Sequence, residues 1–216
     1  LEAGFVSAGI NVKLLGPIPT PAIAYLIKKY NAELGIVISA SHNSFKDNGI
    51  KFFNSNGTKL DDDSEVKIEA TLEESIKTKK STDLGRATID SLARERYQEF
   101  CISSYDAEET LTEMKVIFDG ANGAAYKVGP RILNDLGAQV LSIGCSPNGQ
   151  NINENCGSTH PELLQQTVKA VGADVGIALD GDGDRVVMVD ESGELLDGDQ
   201  LLFILAMDFK SRDKLR

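Results

Sequence analysis

The sequence predicts an α/β protein built of two related units with mixed, largely parallel sheets. Short apolar runs alternate with amphipathic stretches from end to end, as strands and helices do when taken in turn. Three blocks also recur in the same order in the two halves. Gly9, Val12 and Gly16 have the spacing of Gly137, Val140 and Gly144. Ala32-Glu33-Leu34-Gly35-Ile36 parallels Ala173-Asp174-Val175-Gly176-Ile177, and Asn54-Ser55-Asn56-Gly57 parallels Asp190-Glu191-Ser192-Gly193.

Taken in order, residues 1–8 read as a helix and 11–15 as a strand. Residues 20–30 read as a helix entered through Pro19 and Pro21, since proline fits a first helical turn. Strands follow at 35–39 and 49–54, then a polar, charge-rich helix at 64–80, a loop at 81–88 and a helix at 90–103. The second unit opens with a strand at 115–119, a helix at 121–136 and a strand at 139–143. A long loop leads to a helix at 161–171, to strands on either side of residues 180–185, and to a final helix from 198 whose charged end spans 208–216. The expected units are 1–105, closing with a linker helix, and 106–216. The chain starts at Leu1 inside a helix and shows no natural stop signal, so it reads as a piece of a longer protein.

Composition narrows the function classes. Hydrophobic residues make up 41% and mean hydropathy is −0.17, and no apolar run approaches membrane-spanning length. A net charge of −11 disfavours nucleic acid and anionic membranes as partners. Cys101, Cys145 and Cys156 are odd in number and lack CxxC spacing, which predicts reduced thiols in a cytoplasmic protein. The acidity is focused: residues 174–199 hold nine acids and a single base, Arg185.

That focus falls on Asp180-Gly181-Asp182-Gly183-Asp184-Arg185, set between two strand-like runs. Carboxylates so close repel one another, and a cation relieves the repulsion. Alternate glycines let the backbone curl until the three converge. An all-oxygen donor set favours magnesium, manganese or calcium over zinc. Three other readings stay open on these residues alone: a solvated turn, a calcium-binding EF-hand loop, and an aspartyl-phosphate phosphatase with Asp180 as nucleophile. The EF-hand fits poorly, because Arg185 stands where that loop needs glycine and the flanks are strand-like. In the repeat, Ser39–Ser41 occupies the place of Asp180–Asp182, and both loops are expected at the carboxyl ends of strands, where open α/β sheets place ligands.

The first of those loops reads Ser41-His42-Asn43, then Asn48-Gly49-Ile50-Lys51. With the acidic hexapeptide it resembles the phosphohexomutase superfamily. Cys156-Gly157-Ser158-Thr159-His160, Pro147-Asn148-Gly149-Gln150-Asn151-Ile152-Asn153, Asp119-Gly120-Ala121-Asn122-Gly123-Ala124 and Asp197-Gly198-Asp199-Gln200 look most like its phosphoglucosamine mutase branch. The likeness runs over essentially the whole chain and implies most of a first domain and all of a second, out of four.

By that resemblance, Ser41 carries a transferable phosphoryl group and Asp180, Asp182 and Asp184 bind one Mg2+, with a phosphoserine oxygen completing its shell. Arg185 lies against the phosphoryl group, His42 lines the loop and Lys51 is the candidate general base. The implied enzyme is an isomerase that interconverts glucosamine 6-phosphate and glucosamine 1-phosphate through glucosamine 1,6-bisphosphate, for peptidoglycan precursor synthesis, as a monomer or homodimer. The family usually has proline after Ser-His-Asn; here it is Ser44, which frees a backbone φ and adds a second hydroxyl. The rival within the superfamily is a phosphomannomutase/phosphoglucomutase, and the non-enzyme rival a calcium-binding module. By the same resemblance, the domains that grip the sugar would be missing, so the fragment alone is expected to be inactive.

Overall fold

The computed structural model describes residues 1–105 and 110–214. The division expected at 105/106 abuts residues outside that set, and the last two residues of the expected terminal helix lie outside it. Among the described residues, no helix is long and apolar enough to cross a membrane.

The first half contains α1 (Glu2–Ser7), β1 (Val12–Leu14), α2 (Thr20–Tyr30), β2 (Leu34–Ile38), β3 (Ile50–Asn54), α3 (Asp62–Ala70) and β4 (Ala87–Ile89). Pro21 stands in the first turn of α2, where its missing N–H costs nothing, and Asn31 ends the helix in a left-handed conformation. β2 and β3 form an antiparallel hairpin, while β1 pairs in parallel with β4. Ile23, Leu26 and Ile27 of α2 pack with Ile18 and Phe53 in one core.

The second half follows α4 (Ala93–Ser103) and holds one five-stranded sheet. Its strands are β5 (Lys115–Asp119), β6 (Gln139–Ile143), β7 (Val175–Leu179), β8 (Val186–Asp190) and β9 (Leu195–Leu196), in the order β6-β5-β7-β8-β9. The β5 pairings with β6 and β7 are parallel; β7–β8 and β8–β9 are antiparallel. α5 (Val128–Asp135) and α6 (Glu162–Val171) flank the sheet, and α7 (Gly198–Ser211) closes the chain behind an Asp197–Gln200 capping box.

The repeat is structural. Leu34–Ile38 pairs with 50–54 as Val175–Leu179 pairs with 186–190, five residues against five. Asn54 and Asp190 each accept, on a side-chain oxygen, from the backbone N–H groups two and four residues on. Gly35 and Gly176 let a helix lie on the strand, because a Cβ there would run into Ile23 and Ile27, or into Leu164 and Val168.

Four local expectations change. The helix expected over 64–80 ends at Ala70 and trails into a short 3-10 turn at Thr71–Glu73; none of its residues is buried, so no packing extends it. The loop expected over 81–88 contains most of β4, whose three residues are all exposed and carry no alternation to read. The helix expected from 121 starts at Val128, since Ala121 and Asn122 adopt left-handed backbone. The helix expected from 90 starts at Ala93, because Asp90 instead accepts from the backbone N–H of Leu92 in a turn.

Candidate active site

The Asp180–Arg185 loop joins β7 to β8. Gly183 takes a left-handed φ of 68°, which lets the chain reverse so that Asp180 Oδ1 accepts from the backbone N–H groups of Asp184 (3.1 Å) and Arg185 (3.2 Å). Gly181 serves close approach instead. A Cβ there would lie 2.7 Å from Asn153 Nδ2, Ile152 Cδ1 and the Ser41 carbonyl oxygen. The carboxylates do converge: one ligand oxygen from each of Asp180, Asp182 and Asp184 lies within 4.8 Å of the others.

The Ser41 loop joins β2 to β3, the equivalent place in the first half, and it meets the acidic loop face to face. Ser41 Oγ donates to Asp180 Oδ2 at 2.9 Å. Ser41 itself sits at φ 56°, a region costly for a residue with a Cβ. Its backbone N–H donates to Ser39 Oγ, one of the local bonds that hold that conformation. Ser44, where proline was expected, is exposed and its carbonyl accepts from Asp47 N–H.

Lys51 on β3 reaches the same cluster. Its Nζ lies 2.6 Å from Asp182 Oδ2 and 3.3 Å from Asp184 Oδ2. Thr20, the first residue of α2, adds a buried 2.9 Å hydrogen bond from Oγ1 to Asp182 Oδ2, and its backbone N–H donates to the Asp182 carbonyl. The electrostatics separate the acids. Burial, helped by the charges of Asp182 and Asp184, raises the Asp180 pKa above the ordinary carboxylate range. Burial pushes Asp182 the same way, but hydrogen bonds from Lys51 and Thr20 and the Lys51 charge outweigh it, so its pKa is lowered. For Lys51, burial favours the neutral amine, yet the hydrogen bond to Asp182 and the two carboxylate charges raise its pKa overall. Lys51 is therefore held as a counter-ion to the acids.

Two observations fit this cluster to a hard dication. The donor set is three carboxylates, and Asp182 Oδ1 is fully buried without a hydrogen-bond partner. A buried charged oxygen in that condition is costly, and a cation would satisfy it.

The structure thus brings Ser41, Lys51, Asp180, Asp182 and Asp184 together. His42 is exposed. The Arg185 side chain is 56% exposed and stands 3.9 Å from Asp184 Oδ1, at the rim. Two residues that sequence reasoning did not place here are Thr20 and Asn153. Thr20 read only as the entry to a helix. Asn153 Nδ2 donates to the carbonyl oxygens of Ser41 (2.9 Å) and Asn43 (2.8 Å), a contact spanning more than a hundred residues that no local pattern encodes.

Behind the acids, buried Asp119 ties two further loops by accepting from the N–H groups of Ala121 (2.9 Å) and Gly157 (2.8 Å). Cys145 and Cys156 lie in these loops as free thiols, and burial pushes both up to about 11.

The chain as a whole is similar to known proteins. Residues 1–79 match the family model for the phosphoglucomutase/phosphomannomutase alpha/beta/alpha domain I, and residues 95–193 match that for domain II. Phosphoglucosamine mutase 1 of Shewanella amazonensis is 51% identical over all 216 residues, which cover 48% of that protein. Phosphoglucosamine mutase of Shewanella sp. (strain W3-18-1) is 53% identical over the same span. The chain therefore spans about half the length of these curated relatives. A crystal structure of a phosphoglucomutase/phosphomannomutase family protein from Burkholderia thailandensis superposes with a TM-score of 0.80 at 25% identity, over 98% of this chain and 47% of that one. N-acetylphosphoglucosamine mutase of Aspergillus fumigatus, in complex with GlcNAc-6P and magnesium, shares the fold at a TM-score of 0.54 and 18% identity, over 91% of this chain and 53% of that one.

Proposed function

The chain belongs to the phosphoglucomutase/phosphomannomutase family, and we propose that the protein it comes from is a phosphoglucosamine mutase. In this reading it interconverts glucosamine 6-phosphate and glucosamine 1-phosphate through a phosphoserine at Ser41 and glucosamine 1,6-bisphosphate. The observation that carries the reading is the Ser41 hydroxyl, held in left-handed backbone 2.9 Å from the buried Asp180 at the edge of the carboxylate cluster. The choice of amino sugar over mannose or glucose rests on the 51–53% identity to phosphoglucosamine mutases along the whole chain. The division into a phosphoserine unit up to residue 105 and a metal-binding unit after it belongs to the same proposal.

Phosphoryl transfer passes through a loose transition state, which leaves a protein mainly positioning and charge stabilisation to provide. Asp180, Asp182 and Asp184 would hold Mg2+, which when bound would neutralise the carboxylates and draw charge from the phosphoryl oxygens. Ser41 Oγ is the leaving oxygen. Its bond to phosphorus breaks as a sugar hydroxyl forms one, and the hydroxyl proton passes to a base. Lys51 suits that role once its carboxylate partners are otherwise engaged. The influences that raise its pKa come from Asp182 and Asp184, and without them burial favours the neutral amine. The reverse step returns a phosphoryl group from the other end of the bisphosphate to Ser41. In this reading Arg185, exposed beside Asp184, and His42, exposed in the Ser41 loop, would be accessible to contact the sugar phosphate.

The test is phosphopeptide mapping of the whole protein beside its S41A variant, with turnover measured on glucosamine 6-phosphate and mannose 6-phosphate. Phosphate on Ser41, loss of turnover in S41A and preference for the amino sugar are expected. Phosphate on Asp180 with S41A fully active would overturn the mutase reading, and preference for mannose would overturn the assigned sugar. The 216-residue chain by itself should turn over little substrate, since it covers about half of its relatives.

A further inference from the structure

We infer that Asn153 is the positioning residue that holds the Ser41 loop in register over the acidic cluster. The inference rests on the reading of Ser41 as phosphoryl carrier, but its geometry stands independently. Among the described residues, four side chains hydrogen-bond between the two halves at this site. Thr20, Ser41 and Lys51 all bond to the carboxylates themselves, which a cation or a phosphoryl group would re-engage. Asn153 alone grips the loop backbone without touching an acid.

The grip is specific. Both hydrogens of the Asn153 amide go to carbonyl oxygens, those of Ser41 and Asn43, which straddle His42. Two carbonyl acceptors fix the amide orientation, because only the NH2 end can donate. Asn153 is 7% exposed and is itself anchored, its backbone N–H donating to the Ala121 carbonyl at 2.9 Å. Its φ of 58° is a conformation asparagine tolerates better than most residues. Two further details show what the clamp requires. Asn153 Oδ1 is buried with no hydrogen-bond partner, so the fold tolerates a lone acceptor to keep the two donors. A Cβ on Gly181 would lie 2.7 Å from both Nδ2 and the Ser41 carbonyl oxygen, so the path of the clamp runs over a glycine. A serine in left-handed backbone, on a loop whose next residues are exposed, needs such an external hold.

The experiment uses the whole protein carrying N153G, since glycine accepts the left-handed φ and the variant isolates loss of the amide. N153D, which turns a carboxylate oxygen onto the two carbonyls at unchanged size, is made beside it and decides the matter if N153G does not fold. Amide hydrogen exchange over residues 39–45 should accelerate by about tenfold or more, with the strands at 175–190 unchanged. kcat on glucosamine 6-phosphate should fall roughly 10- to 100-fold, the scale of a misplacement near 1 Å, with KM within about twofold. Calorimetric Mg2+ affinity should stay within about threefold, as no carboxylate contact is lost. Unchanged exchange over 39–45, a uniform rise across the protein, or faster loop exchange with native kcat would each overturn the inference. S41A run in parallel keeps the two readings apart. Its full activity would sink the phosphoserine, while loop exchange in N153G would still judge the clamp.

Discussion

Replacing Lys51 by methionine tests whether this lysine is the built-in counter-ion of the acidic cluster. Lys51 Nζ sits 2.6 Å from Asp182, whose side chain is 3% exposed, and 3.3 Å from Asp184. Removing one partner of a buried ion pair costs about 3–5 kcal/mol, because the other charge stays buried and unpaired. Here the lysine is 26% exposed and Asp182 keeps its bond from Thr20, so about 2 kcal/mol is the reasoned loss in the presence of a chelator. A dication that takes the three carboxylates replaces the lost charge. At a hundredfold excess over its Kd it adds about 2.7 kcal/mol to any form that binds it. K51M should gain more than the native chain, because no ammonium must surrender its carboxylates first, and the gap should shrink below about 1 kcal/mol.

Urea denaturation with EDTA and with excess Mg2+, on native and K51M proteins, measures all four quantities. The pH dependence has a definite sign. Asp182 has a lowered pKa in the folded native protein, so its contribution is whole at neutral pH and is lost as pH falls through that lowered value. Without Lys51, two of the influences that lower it are gone, so its pKa should rise and protonation should relieve the variant first. The stability gap should be widest near pH 7 and narrow as pH falls through the carboxylate range. Equal stability of the two proteins in EDTA, or a gap that Mg2+ leaves untouched, would refute the counter-ion argument.

Two further outcomes test the frame around the site. D90N should cost about 1–2 kcal/mol at pH 7, since Asp90 accepts from Tyr30 Oη at 2.6 Å, from Arg96 Nη1 at 2.8 Å and from Leu92 N–H. These contacts, the Tyr30 hydrogen bond first, lower the Asp90 pKa, so the deficit measured by thermal melting should close as pH falls below about 4; a deficit constant with pH would be incompatible with them. G35A and G176A should each cost about 1–3 kcal/mol by overpacking equivalent helix–strand contacts. In G176A the new Cβ would lie 2.8 Å from Val168 Cγ2, a stiff side chain in a full core, and either variant melting like the native protein would undo the claimed equivalence of the halves.

Much of this architecture was legible because its signals are local. β2, β7 and β8 announce themselves as apolar runs, and α2 by its prolines and apolar face. The glycine pairs of the repeat mark places where helix meets strand or the backbone turns left-handed. Legibility stops where a segment has no buried face. β4 is three exposed residues given order only by pairing with β1, and the tail expected beyond Ala70 had charge and propensity but nothing to pack on. At the site, the acids could be read because their spacing is itself chemical information, and Ser41 through the family resemblance of its Ser-His-Asn loop. Thr20 and Asn153 could not, since what qualifies each is a hydrogen bond across more than a hundred residues. Lys51 was legible as a residue but not in its electrostatics: a base needs a lowered pKa, and the carboxylates hold this one raised.

α4 belongs to both halves at once. Ala93 is buried in the first core, and Tyr97 packs both there and against Phe118, Ala125 and Val128 of the second. Tyr97 and Phe100 also lie against the Tyr25 ring of α2, Phe100 stacked at 4.1 Å between centroids. A free joint between two units needs a boundary that few apolar contacts cross, and this helix denies one. Any change of angle between the units would have to repack one tyrosine in two cores together, which close-packed interiors resist. The hydroxyl loop and the acid loop are therefore held against each other by the fold itself. In the proposed reading, binding energy at the site is left for the phosphoryl group, with none required to bring the halves together.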